Sequence, residues 1–205
     1  MLIVGLTGSI GMGKSTAAAR FREHGIAVFD ADAEVHRLYA GPIAVEIEQV
    51  FPGVTEGGVV NRAKLSQQLL GNPDRFKNLE SIVHPRIRES ERRFVQEEHA
   101  RGAPIAVLEV PLLFEAGGFE KVDVIIVVSA SSEVRRARVL PRPGMTETKF
   151  ETIVHRQLSE AEKKKRADFV VDTNGTVANC NSQIDLIVGK LRERQGQAYD
   201  HYWRD

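Results

Sequence analysis

A glycine-rich stretch near the start of the chain restricts the folds that the rest can adopt. The segment "GSIGMGKS", from Gly8 to Ser15, matches the spacing G-x-x-x-x-G-K-[ST]. The apolar run "LIVGL" before it predicts a buried strand, and "STAAARFREHG" predicts a helix that begins at Ser15 and ends near Gly25. This order of strand, glycine loop and helix favours a phosphate-binding loop over the alternative, an ordinary glycine turn.

The residue types in this loop suit polyphosphate chemistry. Glycines let consecutive backbone N–H groups turn toward phosphate oxygens without a steric clash. Lys14 can then reach the outer phosphates, and the Ser15 hydroxyl can ligate Mg²⁺. The residues predicted to form this nucleotide site are Gly8, Ser9, Ile10, Gly11, Met12, Gly13, Lys14, Ser15 and Thr16.

Charge balance and cysteine content exclude several classes of protein. The 28 lysines and arginines equal the 28 aspartates and glutamates, so the chain lacks the basic charge expected for binding nucleic acid or an anionic membrane. Cys180 is the single cysteine, which excludes an internal disulfide and predicts a buried or half-buried thiol in a reducing cytosol. The chain starts without the basic segment of a signal peptide, and "VDVIIVVSA" is too short to cross a membrane. We therefore predict a cytoplasmic protein.

Short apolar runs alternate with helical patterns along the chain. With 205 residues and 42% hydrophobic content, the chain can bury one sizeable core, which predicts a single domain over 1–205. The alternation predicts an α/β fold in which helices cover both faces of a mostly parallel sheet. The predicted strands are Leu2–Leu6, Ile26–Phe29, Ile105–Val110, Val122–Val128 and Phe169–Val171.

A helical insertion of about residues 61–101 separates the second predicted strand from the third. Pro73 predicts the start of a helix, and Pro85 predicts a break after His84. The insertion is suited to forming a cap over a site. His84 has no cysteine or second histidine at ligand spacing, which favours a structural or hydrogen-bonding role over a metal role.

A second excursion, the lid region of about residues 135–166, follows the fourth predicted strand. The segment "PRPG" interrupts two helical patterns within it. Arg138 and Arg142 lie four residues apart beside this break, as expected for a lid whose cations close onto a transferring phosphoryl group. For Arg135 and for the run "KKKR" at Lys163–Arg166, a solvated helix face is the preferred interpretation.

Carboxylates accompany the second and third predicted strands. Asp30 and Asp32 come at the carboxyl end of the second, where open α/β sheets bind ligands. We expect one of them to cap the helix that begins near Ala33, and the other to take the proton of an attacking hydroxyl or to hold Mg²⁺ through water. Glu109 and Glu115, at and after the third strand, are both candidates for orienting the water shell of the metal.

Together these motifs resemble those of one family, the dephospho-coenzyme A kinases. A phosphate loop alone is shared by many functions, whereas its combination with D-A-D, H-P and P-L-L-x-E is far more specific. The matching stretches, in the family's order between residues 5 and 175, are "GLTGSIGMGKST", "FDADAEVHR", "VHPRI", "EVPLLFEAG", "RPGMT" and "ADFVVDTNG".

The resemblance implies a three-layer P-loop kinase fold with a five-stranded parallel sheet of order 2-3-1-4-5, a helical acceptor-binding region and an arginine-bearing lid. It implies that Asp32 acts on a ribose 3′-hydroxyl of the acceptor, while Lys14 and the loop hold ATP with Mg²⁺. The residues to which it assigns catalysis are Asp32, Lys14, Arg138 and Arg142. Those to which it assigns acceptor binding are Asp32, His84, Leu113 and Glu115.

Two positions depart from the family pattern. Thr173 stands where family members often carry asparagine, near the adenine of ATP, and we expect it to contact the nucleotide. Arg142 is followed by Pro143 where many members carry an arginine and an aspartate. Beyond residue 175 the resemblance is weak, and the aromatic ending "QAYDHYWRD" is compatible with packing on the core, with a partner subunit or with mobility.

The resemblance implies transfer of the γ-phosphoryl group of ATP to dephospho-coenzyme A, a small-molecule substrate. The nearest alternative is another P-loop metabolite kinase, acting on a nucleoside monophosphate, shikimate or gluconate. A nucleotide-dependent switch is less favoured because the N-K-x-D motif of GTPases is absent, and intact Lys14, Ser15 and Asp32 argue against a non-catalytic binding module. We expect a monomer or weak homo-oligomer that binds neither nucleic acid nor membrane.

Overall fold

The computed structural model describes residues 1–204, whose packing divides into two compact units. The first unit contains Met1–Phe29 and the chain from Val95 onward, and the second contains Asp30–Phe94. The second unit therefore begins upstream of the insertion predicted at about 61–101. The assignment of the whole chain to one kinase domain stays a prediction.

Five strands form the larger of the two sheets found among residues 1–204. The strands in chain order are β1 Leu2–Thr7, β2 Ala27–Asp30, β3 Thr55–Glu56, β4 Val59–Val60, β5 Ile105–Glu109, β6 Val124–Ser129 and β7 Phe169–Asp172. The larger sheet has the order β2-β5-β1-β6-β7, and the pairs β1–β5, β1–β6 and β6–β7 are parallel. Because β3 and β4 pair in a separate sheet, the five strands have the predicted order 2-3-1-4-5.

Helices connect these strands. Their bounds are α1 Lys14–Glu23, α2 Ala31–Tyr39, α3 Ile43–Val50, α4 Arg62–Leu69, α5 Pro73–Ala100, α6 Ser132–Val139, α7 Glu147–Arg156, α8 Glu160–Lys165 and α9 Val177–Leu191. Hydroxyl side chains cap the N-termini of α6 to α9, and Thr146, for example, accepts a hydrogen bond from Lys149 N at the start of α7. The two helical patterns predicted on either side of "PRPG" are therefore confirmed as α6 and α7.

The core of the first unit lies against the sheet. All six residues of β1 are buried, because a strand at the centre of a parallel sheet is covered on both faces. Phe21 of α1 and Ile184 of α9 belong to the same apolar cluster as Val4 and Leu6. Cys180 is also buried in this cluster, as predicted, and burial raises the pKa of its thiol.

The second unit has a core of its own. Its cluster includes Ile43 and Ile47 of α3, Leu65 of α4 and Val83 of α5. The hairpin β3–β4 within this unit was not predicted, although "TEGGVV" places two glycines between β-forming residues, which is a common signal for a tight hairpin turn.

The predicted break after His84 is wrong. Helix α5 runs for 28 residues, with Pro85 inside it. Proline removes one backbone donor from a helix. Leu79, Val83 and Ile87 are spaced by four residues and all pack into the core of the second unit, so burial on both sides of Pro85 offsets the lost hydrogen bond.

The aromatic C-terminal segment packs within the first unit. Tyr199 and Trp203 are buried in a single turn of π-helix, Tyr199–Trp203. The Trp203 indole donates a hydrogen bond to the Lys121 carbonyl oxygen at 2.8 Å, and the His99 ring stacks on Tyr199 with 3.7 Å between centroids. Among the residues that the structure describes, no helix is both long and apolar enough to span a bilayer.

Candidate active site

The glycine loop joins β1 to α1 as predicted, with the helix beginning at Lys14, one residue earlier than expected. Its geometry requires glycine at Gly8 and at Gly13, among other positions. A Cβ at Gly8 would lie 2.6 Å from the Val128 carbonyl oxygen, and Gly13 has a φ of +86°. Gly13 is also the N-cap of α1 and offers no side chain to the first-turn amides, which leaves that helix end open to an anion.

Lys14 lies across the loop. Its ammonium group donates a hydrogen bond to the Gly8 carbonyl oxygen at 2.9 Å, so the side chain folds back over the loop that precedes it. Ser15 is exposed in the first turn of α1, and Thr16 donates its amide to the Gly13 carbonyl oxygen. The glycine loop therefore curves as its sequence predicts, and the Lys14 ammonium group lies across it.

The first half of the loop is bound by the lid region. Ile10 N donates a hydrogen bond to Gln157 Oε1 at 3.2 Å. The Ser9 hydroxyl donates to Glu160 Oε1 at 2.5 Å and accepts from Lys163 Nζ at 3.3 Å. Ser9 itself is buried. These contacts join the end of α7 and the inner face of α8 to the phosphate loop.

The solvated face predicted for Lys163–Arg166 is wrong at Lys163. Lys164, Lys165 and Arg166 are exposed, whereas Lys163 is fully buried. Its ammonium group lies 3.2 Å from Glu115 Oε1. A buried ammonium group must be paired, and the carboxylate of Glu115 supplies the compensating charge.

Glu115 belongs to the segment that follows β5. Its Oε1 atom accepts a hydrogen bond from Leu158 N at 2.7 Å in addition to the Lys163 contact. Glu109, the last residue of β5, is buried beside Leu6 of β1. Glu115 is thus held by the lid region through Leu158 and Lys163.

Leu113 lies in the core of the first unit. It is 2% exposed, and a Cβ added at Gly5 of β1 would approach its Cδ2 atom to 2.7 Å. Gly5 therefore makes room for this side chain. Binding of the acceptor by Leu113 stays a prediction, as does its binding by Glu115.

Arg138 is fixed beside the phosphate loop. Its guanidinium group donates to the Thr173 carbonyl oxygen at 2.5 Å, to Thr173 Oγ1 at 3.2 Å and to the Gly11 carbonyl oxygen at 3.4 Å. Arg142 is exposed three residues beyond the end of α6, and its Nε donates to the Arg138 carbonyl oxygen. Both arginines are exposed, but only the guanidinium group of Arg138 has a hydrogen bond to the loop among those of the two side chains within residues 1–204.

Thr173 links the end of β7 to the same loop. It is buried, and its hydroxyl donates to the Met12 carbonyl oxygen at 2.7 Å. Met12 is also buried and belongs to the core of the first unit. A contact of Thr173 with the adenine stays a prediction, since the contacts of its hydroxyl are made with the protein itself.

The solvated position predicted for Arg135 is wrong. Arg135 is 8% exposed, and its guanidinium carbon lies 5.2 Å from the centre of the Phe150 ring. Burial lowers the pKa of Arg135, and the negative charge of Glu160 opposes that shift. Arg135 Nε and Glu160 Oε2 are both buried without a hydrogen-bond partner. The attraction between the two charged side chains offsets part of the free-energy cost of removing them from water.

The second unit holds the D-A-D segment and His84. Asp30 caps α2 by accepting a hydrogen bond from Ala33 N at 2.9 Å, which confirms that one aspartate caps the helix. Asp32 is exposed in the first turn of α2, and its carboxylate makes no hydrogen bond or ion pair within residues 1–204. His84 is half-buried inside α5.

A carboxylate that the sequence did not single out follows Asp32 in α2. Glu34 accepts hydrogen bonds from Arg37 at 2.6 Å and from the buried Ser90 hydroxyl at 2.5 Å. The Arg37 hydrogen bond holds the pKa of Glu34 below its usual range. The spacing of Glu34 and Arg37 is that of an ordinary helix-surface pair, and Ser90 lies 56 residues away, so no local signal indicates this arrangement.

Comparison with known proteins identifies the family of this chain. The family model described as dephospho-CoA kinase matches residues 2–179. The chain belongs to the dephospho-CoA kinase family. It is 48% identical over 198 residues to a dephospho-CoA kinase from Brucella melitensis, with 97% of this chain and 99% of that one covered.

Solved structures support the fold of this family member. A crystal structure of TT1252 from Thermus thermophilus has a TM-score of 0.77 and 34% identity, with 93% of this chain and 97% of that chain covered. A dephospho-CoA kinase from Campylobacter jejuni has a TM-score of 0.71 at 23% identity over the same shares, and at that identity it bears on the fold alone. The predicted P-loop kinase fold is therefore confirmed.

Proposed function

We propose that this chain transfers the γ-phosphoryl group of ATP to the ribose 3′-hydroxyl of dephospho-coenzyme A and releases coenzyme A and ADP. The observation that carries the proposal is the extent of the family match, which spans residues 2–179 and so includes the segments of both His84 and Glu115 as well as the glycine loop. A phosphate loop alone supports nucleotide binding, whereas these further segments support one acceptor.

The nucleotide's phosphates are proposed to bind at the open N-terminus of α1. Gly13 leaves the first-turn amides of this helix uncapped, and the positive end of the helix dipole attracts phosphate oxygens. Lys14 would exchange its 2.9 Å hydrogen bond with the Gly8 carbonyl oxygen for contacts with the outer phosphates. The ammonium charge is thereby available where negative charge accumulates on the transferring group.

Ser15 is proposed as the protein's ligand to Mg²⁺. Its hydroxyl is exposed at the helix start and makes no hydrogen bond within residues 1–204. One hydroxyl oxygen beside phosphate oxygens and water is a donor set that suits Mg²⁺, which retains several waters in such sites. When bound, the ion neutralises charge on the outer phosphates.

The acceptor hydroxyl is proposed to lose its proton to Asp32. A ribose hydroxyl is a weak nucleophile, and its proton must leave by the end of the step. The Asp32 carboxylate is exposed and has no partner within residues 1–204, whereas Asp30 is occupied as a helix cap. His84, Leu113 and Glu115 are proposed to contribute to acceptor binding, on the strength of the family motifs in which they lie.

Two arginines are proposed to stabilise the transferring phosphoryl group. Arg138 is fixed beside Gly11 of the loop, and Arg142 lies four residues further along the chain, exposed on the "PRPG" segment. A fixed cation requires little reorganisation when charge develops in the transition state. Thr173, at the end of β7, is proposed to contact the nucleotide from the same side as Arg138, because the two residues are hydrogen-bonded.

The remaining proposals concern the cellular context. We propose a cytoplasmic monomer or weak homo-oligomer that works on small molecules and binds neither nucleic acid nor membrane, in keeping with its net charge of zero. We also propose one kinase domain with a helical acceptor-binding insertion at about residues 61–101 and a lid at about residues 135–166.

A panel of acceptors tests the proposed reaction. The protein is mixed with ATP, Mg²⁺ and one acceptor at a time, and ADP release is followed with dephospho-coenzyme A, AMP, shikimate or gluconate. We expect ADP release to depend on dephospho-coenzyme A. Faster turnover of AMP, shikimate or gluconate would assign the chain to another class of P-loop metabolite kinase, and ADP release without any acceptor would indicate a hydrolytic switch.

A further inference from the structure

One lysine of the run "KKKR" differs from its neighbours in its surroundings. Lys163 has no exposed side-chain surface, whereas the side chain of Lys165 is 76% exposed and that of Arg166 is 44% exposed. Burying an ammonium group is costly, and an apolar residue of similar volume would fill the same space at less cost. The presence of a lysine there calls for an explanation other than packing.

The contacts of Lys163 join two segments of the active site. Its Nζ atom lies 3.2 Å from Glu115 Oε1, in the segment after β5, and 3.3 Å from Ser9 Oγ, in the phosphate loop. Ser9 Oγ in turn donates to Glu160 Oε1 at 2.5 Å. One buried cation therefore contacts the Glu115 carboxylate and a hydroxyl group of the loop, and that hydroxyl group is bonded in turn to the Glu160 carboxylate.

The same part of the lid region holds the next residue of the loop. Ile10 N donates to Gln157 Oε1, and Leu158 N donates to Glu115 Oε1 at 2.7 Å. The first half of the phosphate loop is thus held by the protein's own side chains. A loop that already has its binding shape loses less conformational entropy when the ligand arrives, which strengthens binding.

We propose that Lys163 is a positioning residue for nucleotide binding. It acts through Ser9 and Glu115 and not by touching the phosphates, and it keeps the first half of the phosphate loop in its binding shape. The inference deepens the proposed function, on which its relevance to phosphoryl transfer rests. Its nucleotide-binding part can be tested without any acceptor.

Nucleotide affinity is the measurement that tests this role. The dissociation constant of a non-hydrolysable ATP analogue with Mg²⁺ is measured by titration calorimetry for the full chain, together with the melting temperature. We expect Lys163→Met to raise the dissociation constant by about tenfold, which corresponds to about 1.4 kcal/mol. Lys164→Met is the matched control, since Lys164 is the exposed neighbour, and it should change neither quantity.

A double variant separates positioning from stability. Lys163→Met alone leaves the Glu115 carboxylate unpaired, and this variant is the one at risk of failing to fold. Lys163→Met combined with Glu115→Gln removes both charges and should restore the melting temperature. We expect the dissociation constant of the double variant to stay raised by about tenfold, because the hydrogen bond to Ser9 is still missing.

The outcomes distinguish this inference from the proposed reaction. A folded double variant that binds the ATP analogue as tightly as the parent protein would overturn the inference, since Lys163 would then only neutralise Glu115. Ser9→Ala should raise the dissociation constant as Lys163→Met does, and the combination of both should add little, whereas full additivity would also contradict the coupling. If the parent protein fails to phosphorylate dephospho-coenzyme A, the proposed function fails while these binding results still decide the role of Lys163.

Discussion

Arg138 donates a hydrogen bond of 2.5 Å to the carbonyl oxygen of Thr173, and this bond joins the last turn of α6 to the residue that follows β7. The same guanidinium group reaches the Gly11 carbonyl oxygen. Arg138 is therefore part of the framework around the phosphate loop, whereas Arg142, on the segment that follows α6, donates a hydrogen bond to the Arg138 carbonyl oxygen. The two arginines that the sequence placed together in a lid should respond differently to substitution.

Replacement of Arg142 should affect the chemical step. We expect Arg142→Ala to lower kcat by about 10²–10³-fold with a small change in the KM values, because a cation contributes most when charge spreads over the phosphoryl oxygens in the transition state. Arg138→Ala should lower kcat and also the melting temperature, since it removes the bond to Thr173. Steady-state kinetics and thermal unfolding of both variants check this. An Arg142→Ala effect confined to the KM of the acceptor would instead assign this residue to substrate binding.

Replacement of Lys14 should abolish transfer without unfolding the protein. Lys14 is the first residue of α1, is half-buried and is not part of the apolar core, so Lys14→Ala should leave the melting temperature almost unchanged. We expect kcat to fall by about 10²–10³-fold, since charge stabilisation of the transferring group is lost. The measurement is ADP release beside a thermal melt, and near-full activity of the variant would contradict the proposed role of Lys14.

The sequence predicted those parts of the fold that depend on local pattern. The run "LIVGL" and the spacing of Gly8, Gly13 and Lys14 specify a strand and a loop within a few residues of each other, and the structure confirms both. The aspartate cap of α2 is local in the same way, because Asp30 and Ala33 are three residues apart.

The parts that could not be predicted depend on contacts between distant residues. Lys163 is buried because Glu115 and Ser9 lie against it, and Ser9 is 154 positions away in the chain. Nothing in the run "KKKR" distinguishes its first lysine from the others. The continuity of α5 through Pro85 depends likewise on burial in the core of the second unit, which a local rule for proline does not include.

The surface pair of Asp185 with Arg20 should make stability depend on pH. Hydrogen bonds from Arg20 at 2.7 Å and 2.8 Å, and the contact with His24 at 2.6 Å, hold the pKa of Asp185 well below its usual range. A carboxylate whose pKa is lower in the folded state stabilises the fold above its unfolded pKa of about 3.9, and this stabilisation is lost as the pH falls toward the folded pKa.

Thermal melts of Asp185→Asn and of the parent protein at several pH values test the direction of this pH dependence. We expect the parent to melt at a higher temperature than the variant near pH 6, and the difference to shrink as the pH is lowered from about 5 to about 2. Glu193→Gln, at an exposed carboxylate on the chain after α9, is the control and should show a much smaller difference. If the melting temperatures of Asp185→Asn and the parent protein instead diverge as the pH falls, the ionised Asp185 carboxylate does not stabilise the fold.

Replacement of Asp32 should slow the reaction without preventing nucleotide binding. The Asp32 side chain is exposed in the first turn of α2, free of hydrogen bonds within residues 1–204 and thus available to a substrate hydroxyl. Asp32→Asn keeps the size of the side chain and one oxygen but removes the charge that accepts the proton. We expect turnover to fall by roughly 10²–10⁴-fold, the usual contribution of a positioned general base, with ATP affinity unchanged.

Asp30→Asn is the matched control, because it makes the same chemical change two residues away. Asparagine is itself a good N-cap residue, so the helix cap at Ala33 N should survive and the loss of stability should not exceed about 1 kcal/mol. Single-turnover transfer, nucleotide affinity and melting temperature are compared for the two variants. Asp30 already accepts the Ala33 N–H bond as a helix cap, whereas the Asp32 carboxylate is available to the substrate. We therefore expect Asp32→Asn to lower turnover much more than Asp30→Asn. A slow Asp30→Asn enzyme beside a nearly normal Asp32→Asn enzyme would exchange the two roles.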